Sequence, residues 1–122
     1  MILLVEDELL VRLDFAQLLR NQGYVVMEAG DGLQALSLLD KDNFDLVISD
    51  ILMPHLNGYA LLARIRIKWP NLPVLLTSGY LSQDAAKTIL KGSAEFIAKP
   101  INPSEFIATV QYLLAKPALG SV

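Results

Sequence analysis

Five short apolar runs punctuate this chain, at Ile2–Val5, 24–28, 44–49, 72–77 and 94–98, and longer stretches with apolar residues at helical spacing separate them. Nothing else in the sequence constrains the fold as strongly. A short apolar run bounded by turn residues reads as a strand, and a continuous one such as Ile2–Val5 as a strand buried on both faces, the state of strands inside a parallel sheet. Strands that alternate with helices build βαβ units, with right-handed crossovers and helices on both faces of the sheet. The expected class is therefore α/β.

Glu8 to Asn21 carries Leu9, Leu10, Leu13, Leu18 and Leu19 at helical spacing and stops near Gly23. Asp31 and Gly32 open a second helix through Ala35, Leu36 and Leu39. Gly58 to Lys68 turns Leu61, Leu62 and Ile65 inward and is ended by Pro70. Ser82 to Lys91 presents Ala85, Ala86, Ile89 and Leu90, with Gly92 as its C-terminal cap. Ser104, after Pro103, is expected to cap a last helix running to about Ala115. Five strands and five helices in alternation predict a flavodoxin-like, doubly wound, five-stranded parallel sheet of order 2-1-3-4-5, with a crevice between the first and third strands.

A length of 122 residues suits one domain, expected over 1–116, with 117–122 a C-terminal tail or linker stump. An apolar fraction of 53% predicts a well-filled core. The absence of cysteine excludes disulfides and thiolate metal sites. A net charge of −3 with scattered Lys and Arg gives no footprint for direct nucleic-acid binding. The first residues lack a basic leader, and no apolar stretch nears the roughly 20 residues that cross a bilayer, so a cytoplasmic protein with no membrane partner is expected.

The strands end in reactive groups. Val5 is followed by Glu6 and Asp7; the third strand ends at Asp50, before Met53, Pro54 and Gly58; the fourth leads into Thr77, Ser78 and Gly79; the fifth leads into Lys99 and Pro100. Ligands of open α/β sheets bind outside this edge. Glu6 and Asp7 alone could be a helix N-terminal cap, but the topology sets Asp50 opposite them. Three neighbouring carboxylates repel one another unless a cation intervenes, and Mg²⁺ suits oxygen donors and a phosphate co-ligand. Asp50 could be a metal ligand only, or a nucleophile that attacks phosphorus to give an acyl phosphate. Lys99 supplies a point charge for a phosphoryl oxygen, Ser78 a hydroxyl, and Gly79 room for close approach.

In combination these residues resemble the receiver domain of two-component response regulators, over essentially the whole chain. The resemblance implies that Asp50 is the phosphoacceptor, loaded by a histidine kinase or histidine phosphotransfer protein. It implies that Mg²⁺ is held by Asp7, by Glu6 largely through water, by Asp50 and by the backbone carbonyl of Leu52. Lys99 would contact the phosphoryl group, and its bond to Pro100 would be cis. Ser78 and Phe96 would be the switch pair, with the hydroxyl moving to the phosphoryl group and the ring turning inward. The face made by the fourth helix, fifth strand and fifth helix, with Lys87, Lys91, Phe96 and Gln111, would pair receivers as a homodimer or contact an output domain. Phe96 departs from the commoner tyrosine and lacks its hydroxyl. Bulky Leu52 and Tyr80 flank the expected phosphoryl group and are expected to hinder water and lengthen the phosphorylated lifetime.

Such a domain is a signalling module rather than an enzyme, apart from its own phosphotransfer and dephosphorylation. A Mg²⁺-dependent phosphatase of the haloacid-dehalogenase type would carry a second acid two residues after Asp50, where this chain has Leu52. A flavodoxin-like cofactor binder would want a Ser/Thr/Gly-rich loop after the first strand, not two acids. A degenerate receiver serving only as a docking module is the remaining alternative, against which all five site positions are intact. His55 is read as an exposed loop residue, Trp69 as helix-end packing, and Glu28 and Asp45 as solvated strand-end charges. The chain names no kinase, signal or output, and fits a stand-alone regulator or an excised domain of a larger one.

Overall fold

A computed structural model describes residues 1–115. The expected boundary at 116 and the tail at 117–122 lie outside the described residues. The elements alternate throughout: β1 (Ile2–Val5), α1 (Leu9–Asn21), β2 (Val26–Ala29), α2 (Gly32–Lys41), β3 (Leu46–Asp50), α3 (Gly58–Lys68), β4 (Val74–Ser78), α4 (Gln83–Leu90), β5 (Glu95–Ala98) and α5 (Pro103–Ala115). All strand pairs are parallel, in the order β2-β1-β3-β4-β5. The expected fold and strand order are those observed.

Side chains on a strand alternate between faces, and the two cores follow that period. Leu3, Val5, Val47, Val74, Leu76 and Phe96 face a core shared with Ala35, Leu39, Leu61, Leu62, Ile65, Ala86 and Leu90 of α2, α3 and α4. Ile2, Leu4, Leu46, Ile48, Leu75 and Ile97 face Ala16 and Leu19 of α1 and Phe106, Val110 and Leu113 of α5. Phe15 and Phe106 close this second core with ring centroids 5.0 Å apart. Burial of β1, β3 and β4 on both faces is why their sequences are continuous apolar runs rather than alternating ones.

Several ends differ from the sequence expectation, each for a local reason. β3 and β4 reach one residue further, to Asp50 and Ser78, because the sheet hydrogen bonding continues: Ile51 N–H donates to Thr77 O (3.0 Å) and Lys99 N–H to Ser78 O (2.9 Å). β2 starts at Val26 because the Tyr24 amide still closes the end of α1 on Leu19 O. The cap of α5 is Asn102, not Ser104: its Oδ1 accepts from the Ser104 and Glu105 amides at 2.9 and 3.1 Å, and Pro103 takes the first helical position. At the end of α4, Lys91 adopts the left-handed cap conformation (φ 49°) and Gly92 follows it. In α1, Leu9, Leu10 and Leu13 are exposed, and Ala16 and Leu19 make the buried contact.

Two long-range tethers fix the sheet edges. Arg66 of α3 donates from Nε and Nη2 to Ser93 O (3.0 and 2.6 Å) and from Nη1 to Leu72 O and Trp69 O (2.6 and 3.3 Å). It joins the end of α3, the approach to β4 and the α4–β5 turn, and burial lowers its pKa. Gln83 at the start of α4 donates from Nε2 to Phe96 O at 2.6 Å.

Gly58 opens α3 directly beneath β3. Its amide donates to Ile51 O at 2.8 Å, and a Cβ there would sit 2.7 Å from both Asp50 O and Ile51 Cα. The neighbours are backbone atoms and cannot step aside. Gly58→Ala is expected to lower unfolding stability by about 1–3 kcal/mol through overpacking, read as a shift in the urea midpoint; an unchanged midpoint would show that the close approach is not a constraint.

Candidate functional site

The carboxyl ends of β1, β3, β4 and β5 share one edge, because all four strands run the same way. The register puts Val5 beside Ser49, Asp50 beside Thr77 and Ser78 beside Ala98. Glu6, Asp7, Asp50, Ser78 and Lys99 thus come to one edge from four strand ends, as the sequence predicts.

Carboxylate oxygens of Glu6, Asp7 and Asp50 lie within 4.8 Å of one another. Glu6 is buried, Asp50 partly so, and Asp7 is exposed. Lys99 reaches into the cluster: its Nζ donates to Asp50 Oδ2 at 3.1 Å and lies 3.6 Å from Glu6 Oε1. One ammonium meets two of the three carboxyl groups, so the cluster holds more acids than its lysine can pair. Burial first, then a hydrogen bond to the Asp7 side chain and the charge of Asp50, push the Glu6 carboxyl up from 4.5 to about 7. The Glu8 amide and Lys99 oppose that rise without cancelling it. For Lys99, burial favours the neutral amine, but hydrogen bonds and charge from Asp50 and Glu6 outweigh it and leave the pKa raised.

The reading of Glu6 and Asp7 as a helix cap is only partly met. Glu8 is the N-cap residue of α1 and makes no side-chain capping bond, while Glu6 Oε2 accepts from the Glu8 amide at a long 3.3 Å. A donor set made wholly of carboxylate oxygens fits a hard dication such as Mg²⁺ and not a thiolate- or imidazole-seeking metal. Glu6 supplies the physical observation: a buried acid whose ionised form is held at a cost that a dication would relieve.

The remaining expected residues lie around this cluster. Ser78 is buried, and its Oγ accepts from the Tyr80 amide at 3.0 Å. Phe96 is also buried, its ring in the core under α4 rather than on the surface with Lys87, Lys91 and Gln111. The Lys99–Pro100 peptide bond is cis. Leu52 and Tyr80 are exposed, by 53% and 85%. His55 is exposed in the β3–α3 loop at φ 69°. Trp69 packs partly buried at the end of α3.

Glu28 was not expected here. It is not a solvated charge: Arg12 Nε donates to its Oε1 at 3.2 Å and Arg20 Nη1 to its Oε2 at 3.1 Å. Arg12 also donates from Nη1 to the Glu6 backbone carbonyl at 2.7 Å. Residues separated by sixteen positions carry no periodic signal of such a pair, and only the pairing of β1 with β2 brings them together.

A parallel sheet of this order, with three acids and a lysine at its carboxyl edge, defines a receiver-type domain. The chain belongs to the response regulator receiver domain family, which it matches over residues 2–111, and so to the signalling domains of two-component systems. It is 36% identical over 97% of its length to a probable transcriptional regulator, ycf29, of Pyropia yezoensis, covering 54% of that protein. It is 35% identical over 94% of its length to the sensor kinase CckA of Brucella abortus, covering 12% of it. The receiver domain of NtrX from Brucella abortus superposes with a TM-score of 0.87 at 32% identity, over 96% of this chain and all of that one. The chain thus spans little more than half the length of the first curated relatives it matches, and less of others. Among the described residues no helix is long and apolar enough to cross a membrane.

The raised Glu6 value gives a signed expectation. Below about pH 4.5 the carboxyl is protonated folded or unfolded; between 4.5 and about 7 only the unfolded chain ionises it, so stability falls as pH rises across that window. In chelator, Glu6→Gln should remove this part of the profile, so that wild type and variant diverge from pH 5 to pH 7 in their urea midpoints. Parallel profiles would contradict the assignment.

Proposed function

We propose that Asp50 is a phosphoacceptor, taking a phosphoryl group from a histidine kinase or a histidine phosphotransfer protein. The observation that carries this is Lys99 Nζ held between Asp50 Oδ2 and Glu6 Oε1, at the edge where β3 delivers Asp50. In the transfer, a carboxylate oxygen of Asp50 attacks phosphorus, the P–N bond of the donor breaks, and the imidazole leaves with its electron pair and takes up a proton. The product is an acyl phosphate on Asp50. Lys99 holds the attacking carboxylate in place beforehand and then offers its charge to a phosphoryl oxygen. Glu6, Asp7, Asp50 and the Leu52 carbonyl would hold Mg²⁺, which supplies neutralisation of charge between carboxylates and phosphoryl oxygens.

Ser78 is proposed to exchange its bond from the Tyr80 amide for a phosphoryl oxygen. Phe96, buried behind it, would fix the position of β5 under α4 in the loaded form. The α4–β5–α5 face then reports the change through exposed Lys87, Lys91 and Gln111, to a second receiver or an output domain. The unit doing this is proposed as residues 1–116, working in the cytoplasm as a signalling module without a separate substrate.

Intact mass after incubation with acetyl phosphate and Mg²⁺ tests the acceptor. Wild type should gain one phosphoryl group; Asp50→Ala, and wild type in chelator, should gain none. A folded wild type that never gains the group would favour a docking module. Leu52 and Tyr80, both exposed, are proposed to flank the phosphoryl group and hinder water; replacing both with small polar residues should shorten the phosphorylated half-life severalfold, and an unchanged half-life would contradict that role.

A further inference from the structure

The geometry points to Arg12 and Glu28 as a positioning pair for the acidic loop: Glu28 orients the Arg12 guanidinium, which fixes the Glu6 peptide and thereby sets the Mg²⁺ affinity of the Glu6–Asp7–Asp50 cluster. The inference rests on the metal-assisted reading of the site given above.

Arg12 closes the first turn of α1, its amide donating to Glu8 O at 2.9 Å, and its side chain folds back over the β1–α1 loop. It makes two bonds with different nitrogens, Nη1 to Glu6 O at 2.7 Å and Nε to Glu28 Oε1 at 3.2 Å. Both side chains are mostly covered, at 18% and 23% exposure, so the pair is shielded more than a surface ion pair. Glu28 is itself held from the far side by Arg20, which also donates to Val26 O at 2.9 Å.

The consequence for the site follows from the planarity of the peptide. The Glu6 carbonyl and the Asp7 amide share one plane, so fixing that carbonyl fixes the plane from which the Asp7 side chain departs. The Glu6 amide is already bound to Ala29 O at 3.1 Å. With Arg12 on the carbonyl, both sides of Glu6 are held, and the two acids are presented to Asp50 in one arrangement. Partners that orient metal-binding groups in this way typically carry about 10–100-fold in metal affinity or activity.

Position and charge make opposite predictions, which makes the idea decidable. If Arg12 acted only as a nearby positive charge, its removal would tighten Mg²⁺ binding. If it acts by holding the loop, removal weakens binding. Lysine keeps the charge but, as a single point donor, cannot span Glu28 and the Glu6 carbonyl in a rigid fork.

The test is the Mg²⁺ dissociation constant of the whole chain, by calorimetry, for wild type, Arg12→Met, Arg12→Lys, Glu28→Gln and the Arg12→Met/Glu28→Gln double variant. Folding is confirmed for each by circular dichroism. Both Arg12 variants should bind about tenfold more weakly or worse, Glu28→Gln by less, and the double variant no worse than Arg12→Met. At saturating Mg²⁺, the initial rate of phosphorylation by acetyl phosphate should return close to wild type. Tighter or unchanged binding in folded Arg12→Lys, or additive losses in the double variant, would overturn the pair while leaving the site intact. If Arg12→Met does not fold, Arg12→Lys and Glu28→Gln decide the matter alone. A wild type that binds no Mg²⁺ would overturn the reading of the site, and the pair with it.

Discussion

All five strands among the described residues point the same way, and the placement of the site depends on that constraint. A parallel sheet cannot be made from hairpins, so each strand must be separated from the next by a crossover helix, and the helices must cover both faces. The same geometry gathers the carboxyl ends of the strands at one edge. Glu6, Asp50, Ser78 and Lys99, far apart in sequence, become neighbours without any special folding of the loops that bear them. The ion pairing at that edge is therefore a product of topology before it is a product of side-chain chemistry.

That edge stays chemically tense. Lys99 faces more negative charge than it can offset, and Glu6 answers by holding its proton more tightly than an exposed glutamate would. A site in that condition is receptive to a dication and to a phosphoryl group bound through it. The cost is met by the rest of the molecule. Two apolar layers built from β1, β3 and β4 hold the backbone under the acids firmly enough that repulsion cannot simply spread them apart.

How much of this could be read from the sequence depended on whether the signal was local. Asp50, Lys99 and Ser78 were legible because each follows an apolar run, and a run that ends in a polar group marks the strand's edge by itself. The parallel sheet was legible from the alternation of elements, and its order followed from the flavodoxin-like arrangement rather than from any residue. The leucines of α1 misled, because Leu9, Leu10 and Leu13 satisfy helical spacing while small Ala16 makes the actual contact with the sheet, where a larger residue would push the helix away. The expected cap of α5, Ser104, gives way to Asn102 because Pro103 takes the first helical position and puts the residue before it at the cap. Glu28 reads as a solvated charge in sequence because its partners, Arg12 and Arg20, lie on a different element and are brought near only by the pairing of β2 with β1.

The Arg66 tether has a mechanical consequence. Its bonds to Ser93 O, Leu72 O and Trp69 O lock the C-terminal end of α4 to α3 and β4, and Ser93 in turn bonds back to Leu90 O through its amide and hydroxyl. The opposite end of α4 is joined to β5 by the bond from Gln83 to Phe96 O. The end of α4 nearest Ser78 thus rests on one side-chain bond, where the Ser93 end is held by several, and a change at the carboxyl edge meets the less restrained end of the helix.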